Sequence, residues 1–395
     1  MLVRHLEPVV DTDLSTKMVF VAGPRQCGKT TLAQQLLERR GGAYFSYDVP
    51  EHRKTLRDGA LPEDAGLWVF DELHKLRTWR RWLKGVCDLH GRRHPILVTG
   101  SARLDAYNRS GESLQGRYFL HRMHPLTFSE LAQLPPHDAL DAIVAIERPA
   151  PAGGAEHLDA LLRLGPFPEP LLGGSERRAA RWRLGYGARL VREELRDLED
   201  FRDLDRLELL FDRLPDTVGS LLSINALRED LEVAFETVRA WLSALERLYA
   251  IFRATPLGPP RIKAVKKASK LYLWDWARVD DPAARAENLV VSHLLRLVHW
   301  IEDVHGERAE LRFFRSIAGH EVDAVVLRKG KPWLAVEVKL EEGPLDRGLR
   351  YLLERVPIPH AFQVHLHGAT DRVVPDVGRG GVRILPAARL LANLP

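Results

Sequence analysis

Cysteine is nearly absent: the 395 residues contain only Cys27 and Cys87. Two isolated thiols exclude a disulfide framework and a cysteine-rich zinc site, and they fit a reducing compartment. No apolar run approaches the ~20 residues of a membrane-spanning helix. The first residues, MLVRHLEPVVDTD, lack the apolar core of a signal peptide, so the expected location is the cytoplasm, with no membrane partner. A large charge of one sign is also missing. A net charge of +4 and a pI near 9.0 exclude a globally basic surface, so any nucleic-acid contact must be local. Lysine is scarce, with 12 of the 58 basic residues; the other 46 are arginine, which suits phosphate contacts but equally follows from coding bias. What is present, 45% hydrophobic and 28% charged residues, describes a globular chain. Its length exceeds one core and predicts two or three domains at ~100–200 residues each.

The chain is organised around Met18 to Leu32. Met18 to Ala22 reads as a buried strand, and Thr31 to Arg39 has the composition of a helix. Between them Gly23, Pro24, Arg25, Gln26, Cys27, Gly28, Lys29 and Thr30 spell G-x-x-x-x-G-K-T, in the strand–loop–helix context a P-loop requires. The two glycines let successive N–H groups turn inward, and the positive end of the helix adds to their field. This predicts ATP as cofactor, with Lys29 on its β- and γ-phosphates and the Thr30 hydroxyl on Mg²⁺; Thr31 completes the nucleotide-binding run. Cys27 reads as a variable small residue of the loop.

Gly66 to Glu72 is an apolar strand ending in two acids. Asp71 is expected to hold Mg²⁺ and Glu72 to polarise the attacking water. Pro95 to Ser101 is another apolar strand, whose terminal Ser101, or Thr99, is placed to sense the γ-phosphate. The motifs FDELHKLRTW (70–79), TGSARLD, ESLQGRYFLHRMHPLTFSEL (112–131) and GPFPEPLL (165–172) resemble archaeal and bacterial AAA+-type ATPases that carry a C-terminal domain of unknown function. The resemblance implies an additional-strand core, with the sensor strand between the P-loop and acidic strands. It also implies a homo-oligomer, such as a hexameric ring. Arg117, in LQGR, becomes a nucleotide-related arginine acting on its own subunit's ATP or a neighbour's, with Arg103 and Arg109 as competitors.

The Pro- and Gly-rich run from Pro149 to Gly154 marks the first domain boundary. Beyond it, a helix over 217–223, a second over 225–230, a third over 234–248 and strands at 249–253 and 270–274 predict a winged helix. Arg261, Lys263, Lys266, Lys267 and Lys270 fall on the loop between the two wing strands and predict contact with DNA phosphates. Thr237 and Arg239 on the third helix are in reach of bases, but Glu236 repels phosphate, so binding independent of sequence is expected.

In the last third, EVDAVVLR (321–328) and WLAVEVKL (333–340) form a hairpin around a Lys-Gly-Lys-Pro turn. Alternation sets Asp323 opposite Glu337, with Lys339 on the same face, and Glu287 lies on the preceding helix. That is the metal-site pattern of PD-(D/E)xK nucleases, with Glu287, Asp323 and Glu337 as Mg²⁺ ligands beside Lys339. The expected fold class is therefore α/β: an AAA+-like P-loop domain over 1–150, a helical and winged-helix domain over 151–280, and a PD-(D/E)xK-like domain over 281–395. The function that follows is an ATP-hydrolysing, oligomeric DNA-binding motor or remodeller. An ATP-gated DNase and a nucleotide-dependent adaptor for protein partners are the alternatives.

Overall fold

The computed structural model describes residues 2–64, 66–100, 114, 116–137, 139–195, 201, 203–258 and 268–395. They form two compact units, Met1–Pro125 with Arg247–Tyr249, and Leu126–Glu246 with Ala250–Pro395.

The first unit is built on five parallel strands: β1 (Met18–Ala22), β2 (Gly42–Ser46), β3 (Leu67–Asp71), β4 (Ile96–Gly100) and β5 (Tyr118–Arg122). Every residue of β1, β3 and β4 is buried, as near-continuous Val, Ile, Leu and Phe require of strands covered on both faces. Parallel neighbours need crossovers, and α1 (Leu6–Asp13) is followed by α2 (Lys29–Arg40), α3 (Pro50–Asp58) and α4 (Trp79–His90), which supply them. The sheet order is β2-β3-β4-β1-β5. The expected intercalation is present: β4 pairs with β1 through Val21–Thr99 and with β3 through Asp71–Thr99. The loop after β1 and the ends of β3 and β4 therefore meet at the carboxyl edge, where open α/β sheets bind ligands.

The second unit begins with helices, among them α5 (Gly154–Leu164), α6 (Glu176–Arg189), α7 (Leu204–Arg213), α8 (Ile224–Asp230) and α9 (Phe235–Arg247). There follow β6 (Ile251–Pro256), β7 (Lys270–Leu273), α10 (Pro282–Asp303), β8 (Ala309–Arg315), β9 (Glu321–Arg328), β10 (Lys331–Lys339), α11 (Arg347–Leu353), β11 (His360–His365), β12 (Arg372–Val374), β13 (Val382–Pro386) and α12 (Ala387–Asn393). All eight strands belong to one sheet, ordered β12-β13-β11-β10-β9-β8-β6-β7. β8, β9 and β10 run antiparallel in sequence, and β11 lies parallel to β10. Phe314, Val325, Ala335, Leu349 and Leu352 form part of its core.

Two expectations change here. The segment 217–223 is not a helix: one 3₁₀ turn covers Leu214–Thr217, and Leu221 then forms an antiparallel bridge with Lys270. Strands β6 and β7 pair with each other, but they do not stand apart as a two-stranded wing. The end of β6 pairs in parallel with β8, Thr255 with Arg312 and Pro256 with Phe313. The sheet thus continues across residue 280.

Candidate functional site

At the carboxyl edge of the first sheet the chain leaves β1 into the glycine loop. A Cβ on Gly23 would lie 2.3 Å from the Met123 carbonyl oxygen, so only glycine fits where the loop passes β5's exit. Gly28, at φ 105°, occupies a backbone region that favours glycine and delivers the chain into α2. Buried Arg4 braces the loop, donating to the carbonyls of Cys27 (2.8 Å) and His124 (2.5 Å). Lys29 Nζ donates to the carbonyls of Gly23 (3.0 Å) and Pro24 (2.6 Å), folding its ammonium into the loop.

Asp71, at the end of β3, is the hub. Its Oδ1 accepts from Thr99 Oγ1 at 2.6 Å; its Oδ2 accepts from Thr30 Oγ1 at 3.2 Å and from Tyr44 Oη at 2.6 Å. Thr99, fully buried on β4, thus reaches the acidic strand. Tyr44 was not anticipated. It sits on β2, two residues before Ser46, which pairs with Asp71, and no local motif marks it. Burial and the bond to Asp71 hold its phenol well above its usual pKa, so it remains a donor. The oxygen set of Thr30 and Asp71 fits Mg²⁺, and the glycine-shaped loop beside Lys29 fits a phosphate chain.

Glu72 follows in the left-handed region at φ 54°, a conformation costing on the order of 1 kcal/mol in a non-glycine residue. Its carboxylate lies 3.6 Å from His74 Nε2 and 3.7 Å from Lys75 Nζ. Burial raises its pKa against the opposing charges of Lys29 and Lys75, making it a stronger base than a free carboxylate. Among the other expected nucleotide contacts, Gln26 also has positive φ, 59°, and Cys27 is fully buried. Ser101, Arg103 and Arg109 lie outside the described residues.

Arg117 is not brought to this edge. It immediately precedes β5, and its carbonyl accepts from the N–H of Met18, the first residue of β1. Its guanidinium pairs with Asp88 at 2.9 Å. Five strand residues, about 17 Å, separate this end of the sheet from the loop. An action on its own subunit's nucleotide has no support in this placement.

In the second unit the expected hairpin forms, with Val325 opposite Ala335 and Ala324 opposite Val336. Asp323 Oδ2 accepts from the Val338 N–H at 3.0 Å, and Glu337 Oε2 accepts from the Asp323 N–H at 3.3 Å. Lys339 Nζ pairs with Glu337 (2.7 Å) and Asp346 (2.9 Å). The expected metal site of Glu287, Asp323 and Glu337 is nevertheless not what assembles. Among the described residues no trio of His, Cys, Asp or Glu is arranged to hold a metal ion. The reason is Lys270, the first residue of β7. Its Nζ lies 2.8 Å from Glu287, 2.5 Å from Glu321 and 3.5 Å from Asp323. Tyr272, two residues along the same strand, donates to the same Glu287 Oε1 at 2.8 Å.

Lys270 is therefore also not a DNA contact. It is 1% exposed and held by carboxylates. Arg261, Lys263, Lys266 and Lys267 lie outside the described residues. On α9, Thr237 is half-buried, and exposed Arg239 pairs with Glu236 at 3.0 Å. The signal that distinguishes Lys270 from its neighbours was local: it opens KLYLW, an apolar strand whose lysine must be paired if buried.

Residues 15–132 match the family model described as an AAA domain (AAA_14). Residues 155–278 match a domain of unknown function (DUF8612), and residues 284–387 match another (DUF4143). Uncharacterized proteins of Mycobacterium bovis and Mycobacterium tuberculosis are each 25% identical over 346 residues, covering 85% of this chain and 73% of theirs. Among solved structures, a Signal Transduction ATPase with Numerous Domains protein with a tetratricopeptide repeat sensor from Pyrococcus horikoshii aligns with a TM-score of 0.28 and 13% identity. That alignment covers 76% of this chain and 48% of the other. A Bacteroides Pif1 bound to single-stranded DNA aligns with a TM-score of 0.20 and 12% identity over 42% of this chain and 50% of that one. The chain spans about half the length of each of these two structures. It carries an AAA-type P-loop domain followed by two domains of unknown function.

Proposed function

We propose that this chain hydrolyses ATP with Mg²⁺ and couples the reaction to DNA binding, as a homo-oligomer. The observation that carries the ATPase reading is the convergence of the hydroxyls of Thr30, Thr99 and Tyr44 on Asp71, beside a loop braced around Lys29. Bound Mg²⁺ offsets the charge of the phosphates. Lys29 binds the phosphate chain, Thr30 and Asp71 hold the metal's coordination sphere, and Thr99 and Tyr44 fix the Asp71 carboxylate. Glu72, made more basic by burial, orients the attacking water and takes its proton. Arg117, at the opposite edge of its own sheet, serves a neighbouring subunit, and a ring such as a hexamer supplies that geometry.

Support for DNA comes from the basic run 261–267 and from an element order that resembles a winged helix: α7, the Leu221 bridge, α8, α9, β6 and β7. The Arg239–Glu236 pair favours binding without base readout. The order α10, β8, β9, β10, α11, β11 resembles the PD-(D/E)xK core, which we read as a retained fold. No described helix is long and apolar enough to cross a membrane, and a cytoplasmic location fits the two cysteines.

The test is Glu72→Gln. It is expected to bind ATP as the parent does and to lose turnover by about 10²-fold or more, the scale of a general base. Hydrolysis at the parent rate refutes the assignment. Stimulation of the parent by linear, single-stranded or branched DNA identifies the coupled substrate; no stimulation by any removes the DNA half of the proposal.

A further inference from the structure

The second unit contains a buried charge arrangement that the ATPase reading does not use. Glu287 from α10, Glu321 and Asp323 from β9 converge from two elements, and Lys270 enters from a third, β7. Its ammonium is within 3.5 Å of all three carboxylates and is 1% exposed. Around this centre Arg315 Nη1 lies 3.1 Å from Glu321, Tyr272 donates to Glu287, and Lys339 pairs with Glu337 and Asp346. Three carboxylates this close repel unless a cation or a proton lies among them. Breaking one arm of such an ion cluster leaves the remaining charges uncompensated.

We infer that the Lys270 ammonium takes the place of a divalent cation in this carboxylate cluster, so that the cluster is held together by a cation of the chain itself and is a latent metal site. Lys270 supplies one positive charge and up to three N–H donors to oxygens that would suit Mg²⁺ or Mn²⁺. One consequence is that the unit is complete without metal. Another is that the cation arrives on β7, so closing the cluster also fixes the edge of the eight-stranded sheet against α10. The inference does not depend on the ATPase reading.

The experiment titrates Mn²⁺ into the full-length chain in an Asp71→Asn background, which silences the P-loop metal site, by calorimetry and thermal unfolding. That protein is expected to show no saturable Mn²⁺ binding and no thermal shift. Adding Lys270→Met is expected to lower the unfolding temperature in EDTA and to create one Mn²⁺ site that restores it. Adding Asp323→Asn to Lys270→Met is expected to weaken that new site at least tenfold. Saturable Mn²⁺ binding by the Asp71→Asn protein that disappears with Asp323→Asn overturns the inference, because metal and lysine then share the cluster. So does a Lys270→Met protein that binds no Mn²⁺, or one left equally unfolded in Mn²⁺ and in EDTA.

Discussion

The carboxylate cluster makes a pH prediction of definite sign. Burial, then the charge of Asp323, raises Glu287 from 4.5 to about 7, despite the ammonium of Lys270. Burial lowers Lys270, but the charges of Asp323, Glu287 and Glu321 outweigh it and leave the lysine firmly protonated. The two directions agree: carboxylates outnumber the cation, which favours a proton on Glu287. An acid raised in the folded state binds its proton more tightly than in the unfolded chain. Its stabilising contribution is complete below pH 4.5 and is lost as pH rises through about 7. A difference of 2.5 units, 7 less 4.5, is worth at most about 3.4 kcal/mol. Roughly 2.5 kcal/mol of that falls between pH 5 and pH 8. Burial raises Asp323 and Glu337 as well, which adds loss of the same sign. Glu287→Gln keeps an acceptor oxygen for Lys270 and Tyr272 but cannot titrate. Because the two units need not unfold together, the readout is denaturant-dependent hydrogen exchange of α10 and β7 in the full chain. The parent should lose about 2.5 kcal/mol of protection free energy across that range, and Glu287→Gln should be distinctly flatter. Equal slopes in the two proteins would refute the reasoning.

Three other outcomes are expected. Tyr44→Phe removes one of the hydroxyls on Asp71; at ~1.5 kcal/mol for a bond to a charged group it should lower kcat/KM for ATP about tenfold, with higher Mg²⁺ partly compensating. An unchanged Mg²⁺ dependence would reduce Tyr44 to a packing residue. Arg117→Ala should slow turnover by ~10³-fold while sparing ATP binding, and mixing it with Lys29→Ala subunits should restore part of the activity. A fully active monomer at all concentrations contradicts that. Changing Lys263, Lys266 and Lys267 together to Ala should flatten the salt dependence of duplex DNA binding by up to about 2.7 in log–log slope, at ~0.9 per phosphate. An unchanged slope would shift the reading toward a protein adaptor.

The nucleotide site was legible because its chemistry is contiguous. Strand, glycine loop, lysine and helix follow one another, and Asp71-Glu72 ends an apolar strand whose neighbours are set by parallel-sheet logic. Thr99 was reachable by the same logic, since β4 intercalates between β1 and β3. Tyr44 was not, because a tyrosine on an ordinary strand acquires its role only when β2 pairs with β3. The hairpin register around Asp323 and Glu337 was readable from alternation alone. What misled the reading was the charge cluster before β7. Counting five basic residues on one loop treats them as equivalent, whereas Lys270 is the first residue of a strand buried at every position. Long-range pairing decided its partners: β6 had to meet β8 before β7 came within reach of α10 and β9.

The continuous sheet limits how this chain can be dismantled. Residues 155–278 and 284–387 match separate family models, which invites cutting between them. A fragment starting at residue 281 would lose β6 and β7, expose the bare backbone of β8, and leave Glu287 and Asp323 with no ammonium between them. Such a piece is expected to self-associate along its open edge. The compact unit that holds every strand partner and the internal cation begins at Leu126. For the same reason, exchange of either segment with that of a distant relative succeeds only if a lysine on one side of the junction still meets carboxylates on the other.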